Sequence, residues 1–186
     1  MNNKLILKYP RTFLLLLYAV LGVVLYFRVM AESGFLFDDF EYIVGNAIIY
    51  DIQTLLSNFS DPRQIGYLTF ALNYLINGNS PTGYHVVNVI IHIANAVLVF
   101  FLASNLLSCA GWKREQGDFG LSFLFPVAVG LIFLVHPLET QAVSYVTQRF
   151  TSLAAFFYLA AVVLYLEARR NMAAHTSGTA SMVEYW

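Results

Sequence analysis

The chain has 186 residues, of which 59% are hydrophobic and only 11% are charged, and its formal net charge is −1. A soluble domain has about a quarter charged residues, so this composition excludes an ordinary soluble protein and a disordered chain. The small net charge also excludes a nucleic-acid binder with a basic face, because phosphate binding needs clustered lysine and arginine. The single cysteine, Cys109, excludes an intramolecular disulfide and a cysteine-based metal site.

Four apolar segments predict an all-α polytopic membrane protein with about four transmembrane helices, since each crossing takes about 20 residues. The predicted spans are residues 12–30, 84–107, 121–136 and 143–168. They place residues 1–170 in one membrane domain and leave residues 171–186 as a short cytoplasmic tail.

The positions of the basic residues predict the orientation of these spans. One side of the membrane collects most of them, namely Lys4, Lys8, Arg11, Lys113, Arg114, Arg169 and Arg170. We therefore expect both termini in the cytoplasm and the loop of residues 31–83 on the outer side.

The outer loop contains two apolar stretches that are too short to cross a membrane. Between residues 48 and 59 the apolar positions recur at i, i+1, i+4, i+7, i+8 and i+11, which is the stripe of an amphipathic helix. A second apolar piece covers residues 65–76. The pattern predicts one or two interfacial helices that lie at the membrane surface.

The first candidate site is the pair Asp38 and Asp39, which follows the first span and is flanked by Phe37 and Phe40. Two carboxylates beside aromatic rings at a membrane surface are costly to desolvate. Such a pair could bind a divalent cation, or one aspartate could act as a general base. Because neighbouring side chains diverge, we expect one carboxylate to face any given site. The alternative is a solvated acidic turn.

The second candidate is a polar stripe in the second span. Its members are His85, Asn88, His92 and Asn95, which fall within an arc of about 80° on a helix. Polar groups inside a membrane face protein or a water-filled cavity. We favour interhelical hydrogen bonds as their role. The alternative is a haem- or pigment-binding subunit with His92 as an axial ligand.

The third candidate is the outer turn of residues 136–149, which is dense in polar groups. Gln148 and Arg149 lie inside the start of an apolar helix, where a buried arginine needs a partner. That partner is a carboxylate of the first loop or a lipid phosphate, and the alternative is snorkelling to the interface. His136 and Glu139 have a spacing found in metal sites, but Pro137 breaks the helix that this spacing assumes.

These segments together resemble a known family. In chain order they are residues 37–46, Arg63 with residues 67–74, residues 83–92 and residues 136–149. The series resembles the N-terminal membrane part of bacterial membrane proteins with tetratricopeptide repeats. It is similar also to their eukaryotic relatives, the transmembrane tetratricopeptide O-mannosyltransferases of the type C glycosyltransferase superfamily. The resemblance covers residues 35–166, and its last segment is the most specific.

The resemblance implies a multi-pass protein of the bacterial inner membrane that transfers a sugar from a polyprenyl-phosphate donor to an acceptor on the outer face. Asp38 and Asp39 would lie at the reaction centre, where one activates the acceptor hydroxyl or coordinates a metal and the other positions substrate. We expect Arg63 and Arg149 to contact the phosphate, since a guanidinium suits phosphate geometry. The family's pattern includes His85 and His92, which disfavours a haem.

The chain departs from the family in two ways. Residues 63–65 read Arg-Gln-Ile where family members usually show Arg-Pro-Leu. Family members also carry many more spans, followed by repeats of about 34 residues. The chain is then a fragment of a longer gene product, one half of a split enzyme, or a decayed copy. In the last case the alternative function is a non-catalytic membrane subunit or scaffold, with other membrane subunits as partners.

Overall fold

The structure is a computed structural model that describes residues 10–57, 61–112 and 120–183, and the side chains of residues 12–57, 61–112 and 120–172. The regular elements within these ranges are all helical. In chain order the α-helices are α1 (Pro10–Glu32), α2 (Ala47–Tyr50), α3 (Ile52–Ser57), α4 (Gln64–Asn77), α5 (Pro81–Cys109), α6 (Leu121–Val135), α7 (Thr140–Ser144) and α8 (Arg149–Val183). A π-helix, Phe40–Val44, precedes α2, and 3-10 turns at Pro137–Glu139 and Val146–Gln148 flank α7. The predicted all-α class is therefore confirmed.

Three helical segments of the described chain are long and apolar enough to cross a membrane. They are Thr12–Glu32, Pro81–Cys109 and Val146–Met172. A fourth crossing results if α6 and Pro137–Ser144, which are bent by 47°, act as one span. The 15 residues of α6 extend only about 22 Å, less than the apolar thickness of a bilayer of about 30 Å. The chain is thus a multi-pass membrane protein, while the predicted orientation stays a prediction.

The first loop differs from its predicted form because Asp51 divides its apolar stretch. Where one helix was expected over residues 48–59, the structure has α2 and α3, and residues 58 and 59 lie outside the described part. Asp51 Oδ1 accepts the backbone N–H groups of Gln53 (3.1 Å) and Thr54 (3.2 Å), which caps the start of α3. The hydrogen bond that the Thr54 hydroxyl donates to Asp51 lowers the pKa of this carboxyl. The second predicted helix, residues 65–76, corresponds to α4.

Helix α5 is the centre of the bundle and packs against α1, α6 and α8. It begins with Pro81 as its first residue, a position that needs no N–H donor. Its polar stripe faces these neighbours and is buried: His85 and Asn88 are fully enclosed, and His92 and Asn95 are 2% and 3% exposed.

Each stripe residue reaches a backbone carbonyl of another segment. His85 pairs with Val143, Asn88 with Tyr145 and Val146, His92 with Leu134, and Asn95 with Ser152, at 3.0 to 3.3 Å. Several of these carbonyls lie where a helix ends or breaks and therefore lack an intrahelical donor. The stripe thus forms hydrogen bonds between the segments of the bundle, and among its described polar atoms Asn95 Oδ1 is buried without a partner.

The His92 ring is enclosed by aromatic side chains. It stacks on Phe133 with ring centres 5.4 Å apart and meets the edge of Tyr26 at 5.3 Å. Its Nε2 lies 3.1 Å from the Leu134 carbonyl oxygen and 3.3 Å from the Tyr26 hydroxyl. Because protein oxygens already engage Nε2, the geometry gives no support to His92 as a haem or pigment ligand.

Candidate functional site

A cavity of about 580 Å³ opens at the end of the bundle that carries the first loop. Its polar lining residues are Asp38, Tyr42, Arg63, Thr147, Gln148 and Thr151. Its apolar lining residues are Pro62, Ile65, Gly66, Phe150, Leu153, Ala154 and Phe157. The last three follow Thr151 along α8, so the cavity continues from polar groups onto an apolar helix face.

The two adjacent aspartates have different surroundings. The Asp38 side chain is exposed and lines the cavity. Asp39 is fully buried, and its Oδ1 accepts the N–H of Thr147 at 2.8 Å. Its Oδ2 accepts the N–H groups of Leu36 (3.0 Å) and Val146 (3.3 Å). Asp38 is therefore the carboxylate that a ligand can reach, and Asp39 fastens the first loop to the segment that leads into α8.

Asp39 also explains why the fourth long helix begins later than residue 143, where it was predicted. The chain breaks at Tyr145, whose ψ of 119° is extended, and becomes helical again at Val146. The first N–H groups of a helical segment have no intrahelical partner, and a negative charge near them is favourable. Asp39 supplies both an acceptor and the charge, which stabilises a new helical start at this point.

Arg149 is the largest fully buried side chain among the described residues. Its Nε donates to Asn88 Oδ1 (2.8 Å), its Nη1 to Asn73 Oδ1 (2.7 Å) and its Nη2 to the Tyr84 carbonyl (2.8 Å). The guanidinium carbon lies 4.5 Å from the centre of the Phe70 ring. No carboxylate of the described residues lies within 4 Å of this guanidinium. Neutral oxygens from α4 and α5 hold the charge instead.

The two predicted phosphate contacts are therefore in different places. Arg149 does not line the cavity, and its donors bond to protein oxygens. Arg63 lies on the cavity wall, with its guanidinium carbon 5.6 Å from the Tyr42 ring centre and 5.5 Å from that of Phe150. Its interaction with the Tyr42 hydroxyl, and then with Tyr67, raises the pKa of Arg63, so this residue stays positively charged. The structure places Arg63, and not Arg149, at the cavity.

The candidate residues of the outer turn also divide into one that lines the cavity and two that lie away from it. Gln148 lines the cavity, whereas His136 and Glu139 do not. His136 Nδ1 instead accepts the N–H of Leu138 at 3.3 Å and caps the first 3-10 turn. In the described part of the chain no group of three His, Cys, Asp or Glu side chains could hold a metal ion. A divalent cation at Asp38 or Asp39 stays a prediction.

Some residues of the site were not found from the sequence. Tyr42 and Thr151 line the cavity, and Thr69 and Asn73 meet the Arg149 guanidinium. Thr69 and Asn73 have i, i+4 spacing on an otherwise apolar helix, which puts them on one face. That spacing was a usable signal that this face of α4 packs against a polar group rather than against lipid.

Gly66 permits the close contact between α4 and α8 that shapes the cavity. A Cβ at this position would overlap the ring of Phe150, whereas a Cβ at Gly34 would meet nothing within 4 Å. We expect Gly66→Ala to lower the free energy of unfolding by about 1–3 kcal/mol, the usual cost of overpacking. Gly34→Ala is the matched control and should leave the unfolding midpoint in detergent unchanged. An unchanged midpoint for Gly66→Ala would contradict the tight contact.

Curated proteins of known name match most of the chain, although no family model and no solved structure matches it significantly. A protein O-mannosyl-transferase of Caenorhabditis elegans is 34% identical over 152 residues, which is 74% of this chain and 21% of the relative. Protein O-mannosyl-transferase Tmtc1 of Drosophila melanogaster is 32% identical over 83% of this chain and 18% of its own length. Protein O-mannosyl-transferase TMTC4 of Homo sapiens is 31% identical over 75% of this chain and 21% of its own.

The chain thus spans only about a fifth of the length of the curated relatives that it matches. Within that fifth the match covers most of the chain, which confirms the resemblance to the transmembrane tetratricopeptide O-mannosyltransferases. The chain is therefore a member of the wider family of TMTC protein O-mannosyl-transferases, to which it is related over about three quarters of its length.

Proposed function

We propose that the chain is a glycosyltransferase-like module that moves a sugar from a polyprenyl-phosphate donor to an acceptor hydroxyl on the outer face. The observation that carries this proposal is the cavity, in which Asp38 and Arg63 line the same space as an apolar face of α8. The names of the relatives support mannose as the sugar and a protein as the acceptor. Because the chain matches a fifth of those proteins, their activity is part of the proposal.

The lining of the cavity suits an amphipathic donor. Arg63 offers a planar set of N–H donors that fits phosphate oxygens. Leu153, Ala154 and Phe157 continue the wall along α8, and Phe157 is half exposed on a helix that is apolar enough to face lipid. A phosphate at Arg63 could therefore stay attached to an isoprenoid chain that leaves the cavity along this face into the bilayer.

The residues of the cavity divide the proposed reaction between them. The Asp38 carboxylate takes the proton of the acceptor hydroxyl, and the hydroxyl oxygen forms a bond to C1 of the sugar. The bond between C1 and the phosphate oxygen breaks, and its electron pair leaves with polyprenyl phosphate. Arg63 stabilises the negative charge on that leaving group. Thr147, Gln148 and Thr151 offer hydrogen bonds to sugar hydroxyls.

If a divalent cation binds in the cavity, Asp38 would have a second role as its ligand, since such ions prefer carboxylate and phosphate oxygens. The described residues provide one carboxylate in the cavity lining and no ready-made group of three ligands. The donor phosphate would have to complete such a cation site. The acid–base role of Asp38 does not require the cation.

Photolabelling tests the donor site. The whole chain in lipid nanodiscs is irradiated with a polyprenyl phosphate that carries a diazirine on its isoprenoid chain. We expect label on residues 153–157 of α8, and we expect Arg63→Gln to reduce it about tenfold, because a hydrogen-bonded charge pair is lost. Arg28→Gln is the matched control: Arg28 is exposed at the same end of the bundle and does not line the cavity.

Two outcomes would overturn the proposal. One is competition by phosphate-free polyprenol as strong as that by polyprenyl phosphate, since the phosphate would then have no site. The other is label elsewhere on the bundle that Arg63→Gln does not change. Either result would favour a non-catalytic membrane subunit.

A further inference from the structure

The loop that carries Asp38 continues directly into a π-helix, Phe40–Val44. Such helices are rare and occur frequently at functional sites. The N–H of Gly45 donates to the Phe40 carbonyl at 2.8 Å, and the Tyr50 hydroxyl donates to the Val44 carbonyl at 2.6 Å. These bonds hold the last turn of the π-helix. One of its residues, Tyr42, lines the cavity together with Asp38.

The side chain of Arg63 needs support because it is exposed on the cavity wall. An arginine side chain has many rotamers, and part of that freedom is lost when it binds a ligand. Its backbone is fixed, since the Arg63 N–H donates to Asp61 Oδ1 at 2.7 Å. Its guanidinium lies near the rings of Tyr42 and Phe150, whose centres are 5.6 and 5.5 Å from the guanidinium carbon, and it also interacts with Tyr67.

These two aromatic contacts differ in what they offer. Phe150 supplies only a ring face, whereas Tyr42 supplies a ring and a hydroxyl that can accept one guanidinium N–H. Tyr42 is also half-buried, and the hydroxyl of Tyr50 holds the end of its π-helix. Tyr42 is therefore a fixed contact for the flexible side chain of Arg63. A guanidinium oriented on one edge leaves its other N–H groups for a ligand.

We propose that Tyr42 is a positioning residue for Arg63, which it holds at the cavity wall with N–H groups free to meet the donor phosphate. The inference rests on the proposed function, because the ligand of Arg63 is the phosphate of that donor. Tyr42 stands four residues after Asp38, so one short rigid element sets the spacing between the carboxylate and the phosphate subsite.

The test measures the affinity of the whole chain in nanodiscs for polyprenyl phosphate, by competition against the photolabel. Tyr42→Phe removes the hydroxyl and keeps the ring, and we expect about tenfold weaker binding. Tyr165→Phe is the matched control, because it removes an exposed tyrosine hydroxyl of α8 that lies outside the cavity lining. We expect its affinity to stay within twofold of the unmodified chain.

A double-mutant cycle separates positioning from a general structural role. If Tyr42 acts through Arg63, then Tyr42→Phe should have no further effect in an Arg63→Gln background. An equal loss in both backgrounds would overturn the inference, as would a Tyr42→Phe variant that binds normally or no longer folds. Normal binding by Tyr42→Phe with a loss in Arg63→Gln refutes only the role of Tyr42. If the unmodified chain does not prefer polyprenyl phosphate over polyprenol, both this inference and the proposed function fail.

Discussion

Replacing Arg149 by methionine is expected to lower the free energy of unfolding by about 2–4 kcal/mol. The side chain is fully buried, and its removal leaves two buried acceptors, Asn73 Oδ1 and Asn88 Oδ1, without a donor. The Tyr84 carbonyl loses its hydrogen bond from Arg149 as well. Each such group costs about 1–3 kcal/mol. The sum is reduced because methionine removes a charge that is itself costly to bury.

Arg149→Lys should recover only part of this loss. A lysine ammonium is a point charge with three donors and cannot reproduce the planar fork that meets α4 on one side and α5 on the other. Unfolding of the purified chain in mixed micelles of increasing SDS content measures the effect. Arg28→Met is the control, since Arg28 is exposed and pairs with Glu32 one turn away (3.1 Å). Equal stability of Arg149→Met and the unmodified chain would contradict the role of Arg149 as the junction of these helices.

The two aspartates should differ in their effect on stability when each is changed to asparagine. Asp39→Asn is expected to lower the free energy of unfolding by about 2 kcal/mol, because a charged acceptor of three backbone N–H groups is lost. An asparagine offers one acceptor oxygen, and its NH₂ group would then face an N–H donor. Asp38→Asn should leave stability unchanged, because Asp38 is exposed.

The same two variants should also differ in their affinity for polyprenyl phosphate. Asp39→Asn loosens the Val146–Gln148 turn that presents Thr147 and Gln148 to the cavity, so binding of polyprenyl phosphate should weaken together with stability. Asp38→Asn should keep that binding, since Arg63 and the apolar wall are intact. A loss of stability in Asp38→Asn that equals the loss in Asp39→Asn would refute this division.

The apolar runs were sufficient to predict the long helices, because each helix is specified by its own composition and length. The break in the helix at residues 144–149 was not predictable in this way. It depends on Asp39, which lies 107 residues from Val146 in the chain, and on Asn88, 61 residues from Arg149. Local hydropathy there favours a continuous helix. The break is decided by hydrogen bonds that exist only in the folded bundle.

The candidate site shows the same limit. The Asp38 and Asp39 pair was recognisable as a motif, but only the fold distinguishes the carboxylate in the cavity from the one that is buried. Arg63 and Arg149 were equivalent as predicted phosphate contacts, and burial separates them. Tyr42 was missed because its relevance comes from the position of Arg63, which lies beyond α2 and α3 in the sequence.

Asp38 is expected to act as the general base of the proposed transfer without stabilising the fold or the donor site, and a transfer assay measures this role. Membranes with the unmodified chain, or with Asp38→Asn, receive radiolabelled polyprenyl-phosphate mannose and a mixture of outer-face acceptor proteins. Asp38→Asn should reduce transfer by at least about a hundredfold, the usual effect of removing a general base, with unfolding and donor binding unchanged. Transfer by Asp38→Asn at the rate of the unmodified chain would show that Asp38 is not the general base.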